Sequence, residues 1–201
     1  MKKFVVCVDS REQNPLPVPA VLEWWDPNSS PMDPKGTRVM FEYRKAALKA
    51  ADYMLDGDPG AVYVVQGGER GAGIVERKAS IDELSDNVFN PQRRPSFIKL
   101  LTRMRECWRH PNLVIEGGLS TLSRPSRKVE SGLIIDGLQR LSMEYGVPIQ
   151  LVDGRGLTQR AFLGEYVVRW LMNSTVAGGF SSVVPPILKD TTEKPNGPIP
   201  D

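Results

Sequence analysis

The sequence contains little histidine and little cysteine. Its single histidine is His110, and its two cysteines are Cys7 and Cys107. One histidine argues against a histidine-based metal site and against a Ser-His-Asp hydrolase. Two cysteines so far apart make neither a disulfide framework nor a zinc-binding pattern, so we expect buried free thiols in a reducing compartment.

Long apolar runs and an excess of one charge are also missing. The N-terminal apolar run ends at Asp9, which makes it too short for an export signal, and no segment approaches the ~20 apolar residues that span a bilayer. We therefore expect an intracellular, cytoplasmic protein without a membrane partner. The net charge is only +2, so any nucleic-acid surface has to come from local clusters of lysine and arginine.

The remaining composition, 40% hydrophobic and 25% charged, is that of an ordinary globular protein. Strand-like runs come first and helical spacings then alternate with strands, which predicts an α/β sandwich with a mixed sheet. The predicted strands cover residues 4–8, 38–43, 61–65, 74–78, 113–115 and 148–152, and the predicted helices cover 95–109, 127–145 and 158–173, with another opening at 80. Residues 14–36 are proline-rich and predict a loop, whereas residues 46–55 fit either helix or strand.

Two helices carry specific signals. Ser80 followed by Glu83 is a capping-box pattern, which predicts a helix that starts at Ser80. The helix over residues 95–109 carries an apolar stripe that includes Trp108, and His110 would lie at its end. We expect residues 1–175 to form the folded domain and the Pro/Gly-rich residues 176–201 to form a disordered tail.

The most informative segment is GIVERKAS, residues 73–80. In a strand, alternate side chains share a face, so Glu76 and Lys78 point the same way. The carboxylate can hold a hard divalent cation, and the lysine can orient a water or offset charge on a phosphodiester. A second acid from an earlier strand has to complete such a site, and Asp52 is the natural candidate. Taken alone, Glu-x-Lys is common by chance and favours a solvent-exposed ion pair at a strand edge.

A glycine-rich segment, QGGERGAG at residues 66–73, precedes this strand. A phosphate-cradling loop would open a helix, whereas this one leads into residues 74–78. It therefore predicts a hairpin between 61–65 and 74–78 and argues against a nucleotide cofactor.

Several segments together resemble a known family. They are VDSRE at 8–12, ADY at 51–53, VERKASID at 75–82 and LVIEG at 113–117. In this order they resemble the XPF-family nuclease domain of the restriction-endonuclease-like PD-(D/E)xK superfamily, whose hallmark is a Gly-Asp pair, a spacer, ERK and an Asp four residues after the Lys. The resemblance covers roughly residues 4–175. It implies an α/β fold, a restriction-endonuclease-like three-layer sandwich with a central mixed β-sheet flanked by helices.

The resemblance also implies a function and a set of site residues. It implies a structure-specific DNA endonuclease of repair or recombination, dependent on Mg2+ or Mn2+, with DNA as partner and a homodimer or heterodimer as plausible assembly. Asp52 and Glu76 would be metal ligands, Asp9 would face the same site, and Lys78 would be the catalytic lysine. Arg77 would support the site or contact phosphate, and Asp82 would hold the basic pair in position.

Some of these assignments have rivals. The residue before Asp52 is Ala51 rather than glycine, and a true Gly-Asp pair occurs at Gly57-Asp58, so Asp58 competes for the first ligand position. An acid such as Asp82 in the first helical turn is favoured by the helix dipole alone. Asp9, after a strand, fits the start of a turn equally well.

Basic residues give candidates for DNA contact, and these are Arg11, Arg93, Arg94, Lys99 and Arg103. Lys99 and Arg103 lie four apart on a helix, which fits a solvated face or a phosphate-contacting face equally. Two other functions remain open at this point. One is a non-catalytic DNA-binding partner subunit, and the other is a junction resolvase or restriction-type nuclease.

Overall fold

The structure is a computed structural model that describes residues 2–24, 36–60, 69–122, 129–153 and 156–177. The predicted strand at 61–65, its hairpin and nearly all of the predicted tail lie outside these ranges. Within them, no helix has both the length and the apolar character needed to cross a membrane.

Seven strands in the described ranges form one mixed sheet. They are β1 (Lys2–Asp9), β2 (Val21–Trp24), β3 (Thr37–Ala46), β4 (Tyr53–Leu55), β5 (Gly71–Lys78), β6 (Trp108–Glu116) and β7 (Ile149–Val152). Their order across the sheet is β2-β3-β1-β4-β5-β6-β7. The pairs β1–β3, β5–β6 and β6–β7 are parallel, whereas β2–β3, β1–β4 and β4–β5 are antiparallel. The predicted mixed sheet is confirmed.

Helices cover both faces of this sheet. They are α1 (Ile81–Phe89), α2 (Arg94–Cys107), the short α3 (Leu119–Leu122), α4 (Ser131–Tyr145) and α5 (Leu157–Ala177). One core cluster joins α1, α2 and α4 to the face of β5 that carries Ile74. A second cluster joins α5 to the opposite face, which carries Val75. The three-layer arrangement follows from this alternation, because adjacent residues of one strand enter different cores.

Strand β5 is buried along its whole length, with β4 on one side, β6 on the other and a core on each face. Because both faces of β5 are covered, its side chains need not alternate between apolar and polar, which explains why the strand begins with a run of apolar residues. The same burial extends to Glu76, Arg77 and Lys78 at its end. Charged groups removed from water require partners, so the end of β5 is where a polar site has to be built.

Two segments of the first half differ from expectation. The predicted loop at 14–36 contains β2, a short strand that buries Leu22 and Trp24 against the core and pairs antiparallel with β3. The surrounding prolines hid it, because a four-residue strand gives too little alternation to detect. The ambiguous stretch 46–55 contains no helix and ends in β4.

Helix boundaries also differ. The prediction that Trp108 and His110 belong to the end of a helix is wrong, because α2 ends at Cys107 and both residues lie in β6. Pairing with nearly the whole of β5 overrides the helical spacing there. Helix α4 starts at Ser131 rather than 127, and α5 continues to Ala177 rather than 173. The division into a folded domain over residues 1–175 and a tail over 176–201 stays a prediction, since nearly all of the tail lies outside the described residues.

Candidate active site

Asp52 is placed by an unusual backbone turn before β4. Ala51 has φ +54°, in the left-handed region that favours glycine. The Asp52 N–H then donates to the carbonyl of Val75 (3.0 Å), and the Asp52 carbonyl accepts from the Asp9 N–H (2.9 Å). These two bonds hold Asp52 between β1 and β5. Glycine at position 51 would adopt this φ without strain.

The carboxylates of Asp52 and Glu76 line the same cleft. Asp52 Oδ2 accepts a hydrogen bond from the Arg77 N–H (2.8 Å). Burial, and then the charge of Glu76, raise the pKa of Asp52 to about 8. Burial also raises the pKa of Glu76. Burial and the charge of Glu76 thus disfavour the ionised form of Asp52, and a positive charge between the two acids would favour it.

Lys78 supplies part of that charge. Its Nζ lies 2.6 Å from Glu76 Oε1, as the alternation of β5 predicts, and 3.7 Å from Glu83 Oε1. The ammonium also lies over the Phe97 ring, 5.5 Å from its centroid. Burial acts to lower the pKa of Lys78, but Glu76 overcomes that effect, so the pKa lies above its ordinary value. Lys78 is therefore a buried ammonium at neutral pH.

The first turn of α1 completes the surroundings of Lys78. Ser80 caps the helix as predicted, because its Oγ accepts from the Glu83 N–H (3.0 Å). Glu83 Oε2 accepts from the Ala79 N–H (2.8 Å), one residue earlier than the usual reciprocal bond of a capping box. Asp82 is exposed and has no ion pair within the described residues. The contact expected of Asp82 is thus made by Glu83.

Asp9 is buried and lines the same cleft as Asp52 and Glu76, but both of its carboxylate oxygens already accept hydrogen bonds. Asp9 Oδ1 accepts from the Arg11 N–H (3.1 Å), and Oδ2 accepts from Arg11 Nε (2.8 Å) and Nη2. The Arg11 side chain nevertheless remains 74% exposed and lines the cleft. Asp9 therefore holds Arg11 at the rim, and it faces the site as predicted.

Arg77 points away from the cleft. Its guanidinium is buried and bound by Glu116 and, at 3.2 Å, by Glu12. It also donates to the Asn14 carbonyl (3.1 Å). Of its two predicted roles, supporting the site fits this geometry and contacting phosphate does not. Sequence reasoning gave Glu116 no role.

The cleft encloses about 450 Å³ and has a basic rim. Helix α2 contributes Lys99 and Arg103, four residues apart as predicted, and the segment before β4 contributes Lys49, which sequence reasoning missed. Arg93 instead pairs with Asp86 (3.0 Å), and neither it nor Arg94 lines the cleft.

Asp58, the rival for the first ligand position, is a structural residue. Its carboxylate accepts from the Gly60 N–H (2.8 Å), the Ala72 N–H (3.0 Å) and Trp108 Nε1 (3.1 Å). These bonds fix the start of β5 against β6. The structure therefore brings Asp52, not Asp58, to Glu76.

Whether a cation fits can be judged from the oxygens that remain free. Within the described ranges, no group of three or more His, Cys, Asp or Glu side chains is arranged to hold a metal. Asp52 Oδ1 and Glu76 Oε2, however, lack hydrogen-bond partners among those residues. Mg2+ is often held by one or two carboxylates, with water and substrate oxygens as the other ligands. The Asp52–Glu76 pair fits that kind of site.

The fold is similar to that of solved structures of XPF from Aeropyrum pernix. One matches with a TM-score of 0.51 at 17% identity, over 87% of this chain and 63% of that chain. A second, described as a complex with DNA, has a TM-score of 0.49 at 15% identity, over 85% and 66% of the two chains. This chain thus spans less than two thirds of the length of the first. No protein-family model and no curated protein matches the sequence.

Proposed function

Because the chain has an XPF-like nuclease fold, we propose that it is a metal-dependent DNA endonuclease that hydrolyses phosphodiester bonds in branched, flap or fork DNA. The observation that carries the proposal is the convergence of Asp52 and Glu76 in one cleft, with the Lys78 ammonium bound to Glu76. A carboxylate pair with an adjacent lysine suits the chemistry of phosphodiester hydrolysis.

In this proposal Asp52 and Glu76 hold Mg2+ or Mn2+. Such an ion, when bound, stabilises charge on the phosphate and lowers the pKa of a bound water. Asp52 has to lose its proton to act as a ligand, and a cation between the two acids favours that loss. Asp9 contributes by holding Arg11 rather than through a free oxygen, since both of its oxygens accept hydrogen bonds.

Lys78 acts as an ammonium. With a raised pKa it keeps its proton at neutral pH, so it serves as a hydrogen-bond donor and not as a general base. It can orient an attacking water, or donate to the phosphate as negative charge develops there. Glu83 and the Phe97 ring restrict its position, which reduces the reorganisation needed during the reaction.

The basic rim supports a polyanionic substrate. Ionised carboxylates in the cleft would repel a phosphodiester, but Arg11, Lys49, Lys99 and Arg103 line the same cleft. Lysine and arginine bind the phosphate backbone without reading sequence. A substrate defined by backbone shape rather than base sequence is therefore favoured. A role in repair or recombination, a cytoplasmic location, and a homodimer or heterodimer belong to the same proposal.

Cleavage of labelled flaps, forks, junctions and plain duplex in Mg2+ tests this proposal. We expect Glu76→Gln and Lys78→Ala to reduce the rate by about 100-fold or more, because each removes an interaction with the reacting phosphate or its metal. Glu42→Gln and Lys3→Ala are matched controls, since Lys3 and Glu42 form another 2.6 Å pair whose side chains are 52% and 58% exposed. Undiminished cleavage by either site variant contradicts the proposal, and a preference for plain duplex contradicts its branched substrate.

A further inference from the structure

A buried ion-pair network lies directly behind the cleft. Glu116, at the end of β6, binds the Arg77 guanidinium and accepts from Arg160 Nη1 at both carboxylate oxygens (3.2 Å each). The Asn14 carbonyl also accepts from both arginines, from Arg77 Nη1 (3.1 Å) and Arg160 Nη2 (2.9 Å). Glu12 pairs with Arg77. We call Arg77, Glu116, Arg160, Glu12 and Asn14 the arginine clamp.

The clamp is connected to the cleft through the backbone. Arg77 is a neighbour of Glu76 in β5, and its own N–H donates to Asp52 Oδ2. A shift of Arg77 therefore moves the hydrogen bond that orients Asp52. It also moves the backbone next to Glu76. Because Arg77 is buried, its position depends on the groups that bind its guanidinium.

Helix α5 ties the clamp to the N-terminal segment. Arg160 lies in the first turn of α5 and also donates to the Pro15 carbonyl (3.3 Å). One turn later, Gly164 lies so close to the Pro17 carbonyl that a side chain would not fit. From the other side, the Leu16 N–H donates to the Tyr53 hydroxyl (2.9 Å). The segment that carries Glu12 and Asn14 is thus held between α5 and β4.

We propose that Arg160 is a positioning residue for the Asp52–Glu76 pair and acts through Glu116 and Arg77. This inference rests on the proposed function. The Arg160 side chain is only 18% exposed and is turned toward Glu116, so Arg160 does not belong to the basic rim of the cleft. Arg77 and Arg160 contribute two positive charges to the arginine clamp. They balance the two negative charges of Glu12 and Glu116. Without Arg160, two acids compete for Arg77, and the N-terminal segment loses its tie to α5.

The two-pronged contact requires arginine. One nitrogen of Arg160 serves Glu116 and the other serves the Asn14 and Pro15 carbonyls. Lysine offers a single point charge and cannot span both partners. We therefore expect Arg160→Lys to keep part of the charge balance and to restore the site only in part.

Hydrogen exchange of single amides tests this coupling without any cleavage assay. In Arg160→Ala we expect protection of the Arg77 amide to fall by about 10-fold or more, because local opening becomes easier. The backbone N–H of Asn90, which donates to the Asp86 carbonyl at the end of α1 (3.1 Å) on the opposite face of the sheet from α5, should keep its protection. Arg169→Ala is the matched control, since Arg169 lies on the same helix and, among the residues that the structure describes, pairs only with Glu165 (2.7 Å). Equal losses at the backbone N–H groups of Arg77 and Asn90 would overturn the inference.

Steady-state kinetics provide the second readout. A residue that positions ligands from behind costs about 10- to 100-fold in activity, so Arg160→Ala should lower kcat to that extent with KM for DNA within about twofold. Arg160→Lys should fall between Arg160→Ala and wild type. A raised KM with unchanged kcat would instead identify Arg160 as a DNA contact and overturn the inference. If wild type cleaves no DNA, the proposed function fails, and the amide measurement alone decides whether Arg160 positions the pair.

Discussion

The Arg77 N–H donates a 2.8 Å hydrogen bond to Asp52 Oδ2, so the strand that carries Glu76 also holds the acid opposite it. This one bond links the two carboxylates that define the cleft. The strength of this hydrogen bond depends on whether Asp52 is ionised, because a backbone N–H donor favours the ionised carboxylate. Burial and the charge of Glu76 act in the other direction and prevail, which is why the pKa of Asp52 is about 8.

The first prediction concerns Asp52→Asn without metal. The folded protein binds a proton at Asp52 up to pH about 8, whereas the unfolded chain loses it near its ordinary pKa of 3.8. Stability from this group is therefore complete below pH about 4 and is lost as the pH rises to about 8. We expect the variant to be more stable than wild type by up to about 6 kcal/mol at pH 8, because the two pKa values differ by about 4 units and each unit is worth about 1.4 kcal/mol. The difference should be smaller at pH about 5. Urea unfolding in the presence of a chelator measures the free energy of unfolding of both proteins. A difference between them that does not grow with pH would refute the prediction.

The second prediction concerns Glu116→Gln. This change keeps the shape but removes the charge that faces two arginines. Removing one partner of a buried ion pair leaves charge uncompensated, and we expect the free energy of unfolding to fall by about 3 kcal/mol. Glu165→Gln, in a half-exposed pair with Arg169, should cost less than about 1 kcal/mol. Comparable losses for the two variants in denaturant unfolding would mean that the buried network contributes no more than a surface pair.

The third prediction concerns Ala51→Gly. At φ +54° alanine is strained and glycine is not. We expect the substitution to raise the free energy of unfolding by up to about 1 kcal/mol, after the added flexibility of the unfolded chain is subtracted. Ala50→Gly, next to it and equally buried, should destabilise by about 0.5–1 kcal/mol. A destabilising Ala51→Gly in thermal or urea unfolding would show that the methyl group is needed for packing.

The fourth prediction concerns the rim. Lys99→Ala and Arg103→Ala each remove one positive charge from the cleft. We expect weaker DNA binding by both, and a plot of log affinity against log salt whose slope falls by about 1 for each phosphate that the variant no longer neutralises. Arg140, an exposed residue of α4 outside the cleft, is the control. Fluorescence anisotropy with labelled DNA measures the slopes, and unchanged slopes in both variants would remove these residues from the interface.

Local patterns predicted the central part of the site. Strand alternation alone brings Glu76 and Lys78 together, and the 2.6 Å contact confirms it. The burial of Ile74 and Val75 in opposite cores confirms the layered fold. Both depend on residues close in sequence, where the geometry of a strand fixes which side chains meet.

Contacts between distant segments were not predictable in this way. Nothing in the sequence around Arg160 connects it to Glu116, 44 residues away, since the pairing arises only when α5 packs against the sheet through β4 and β5. The choice between Asp82 and Glu83 was equally hidden, because both lie in the first turn of α1 and only the packed position of Lys78 distinguishes them. Trp108 fitted a helical stripe, yet pairing with β5 placed it in a strand.

Binding of a divalent cation tests the central claim most directly. Calorimetric titration of the full chain with Mn2+ should show one site that is lost in Asp52→Asn and, separately, in Glu76→Gln, while Glu42→Gln retains it. That result is expected if two carboxylates share one ion. Undiminished Mn2+ binding in both site variants would contradict the shared site and, with it, the metal-dependent nuclease.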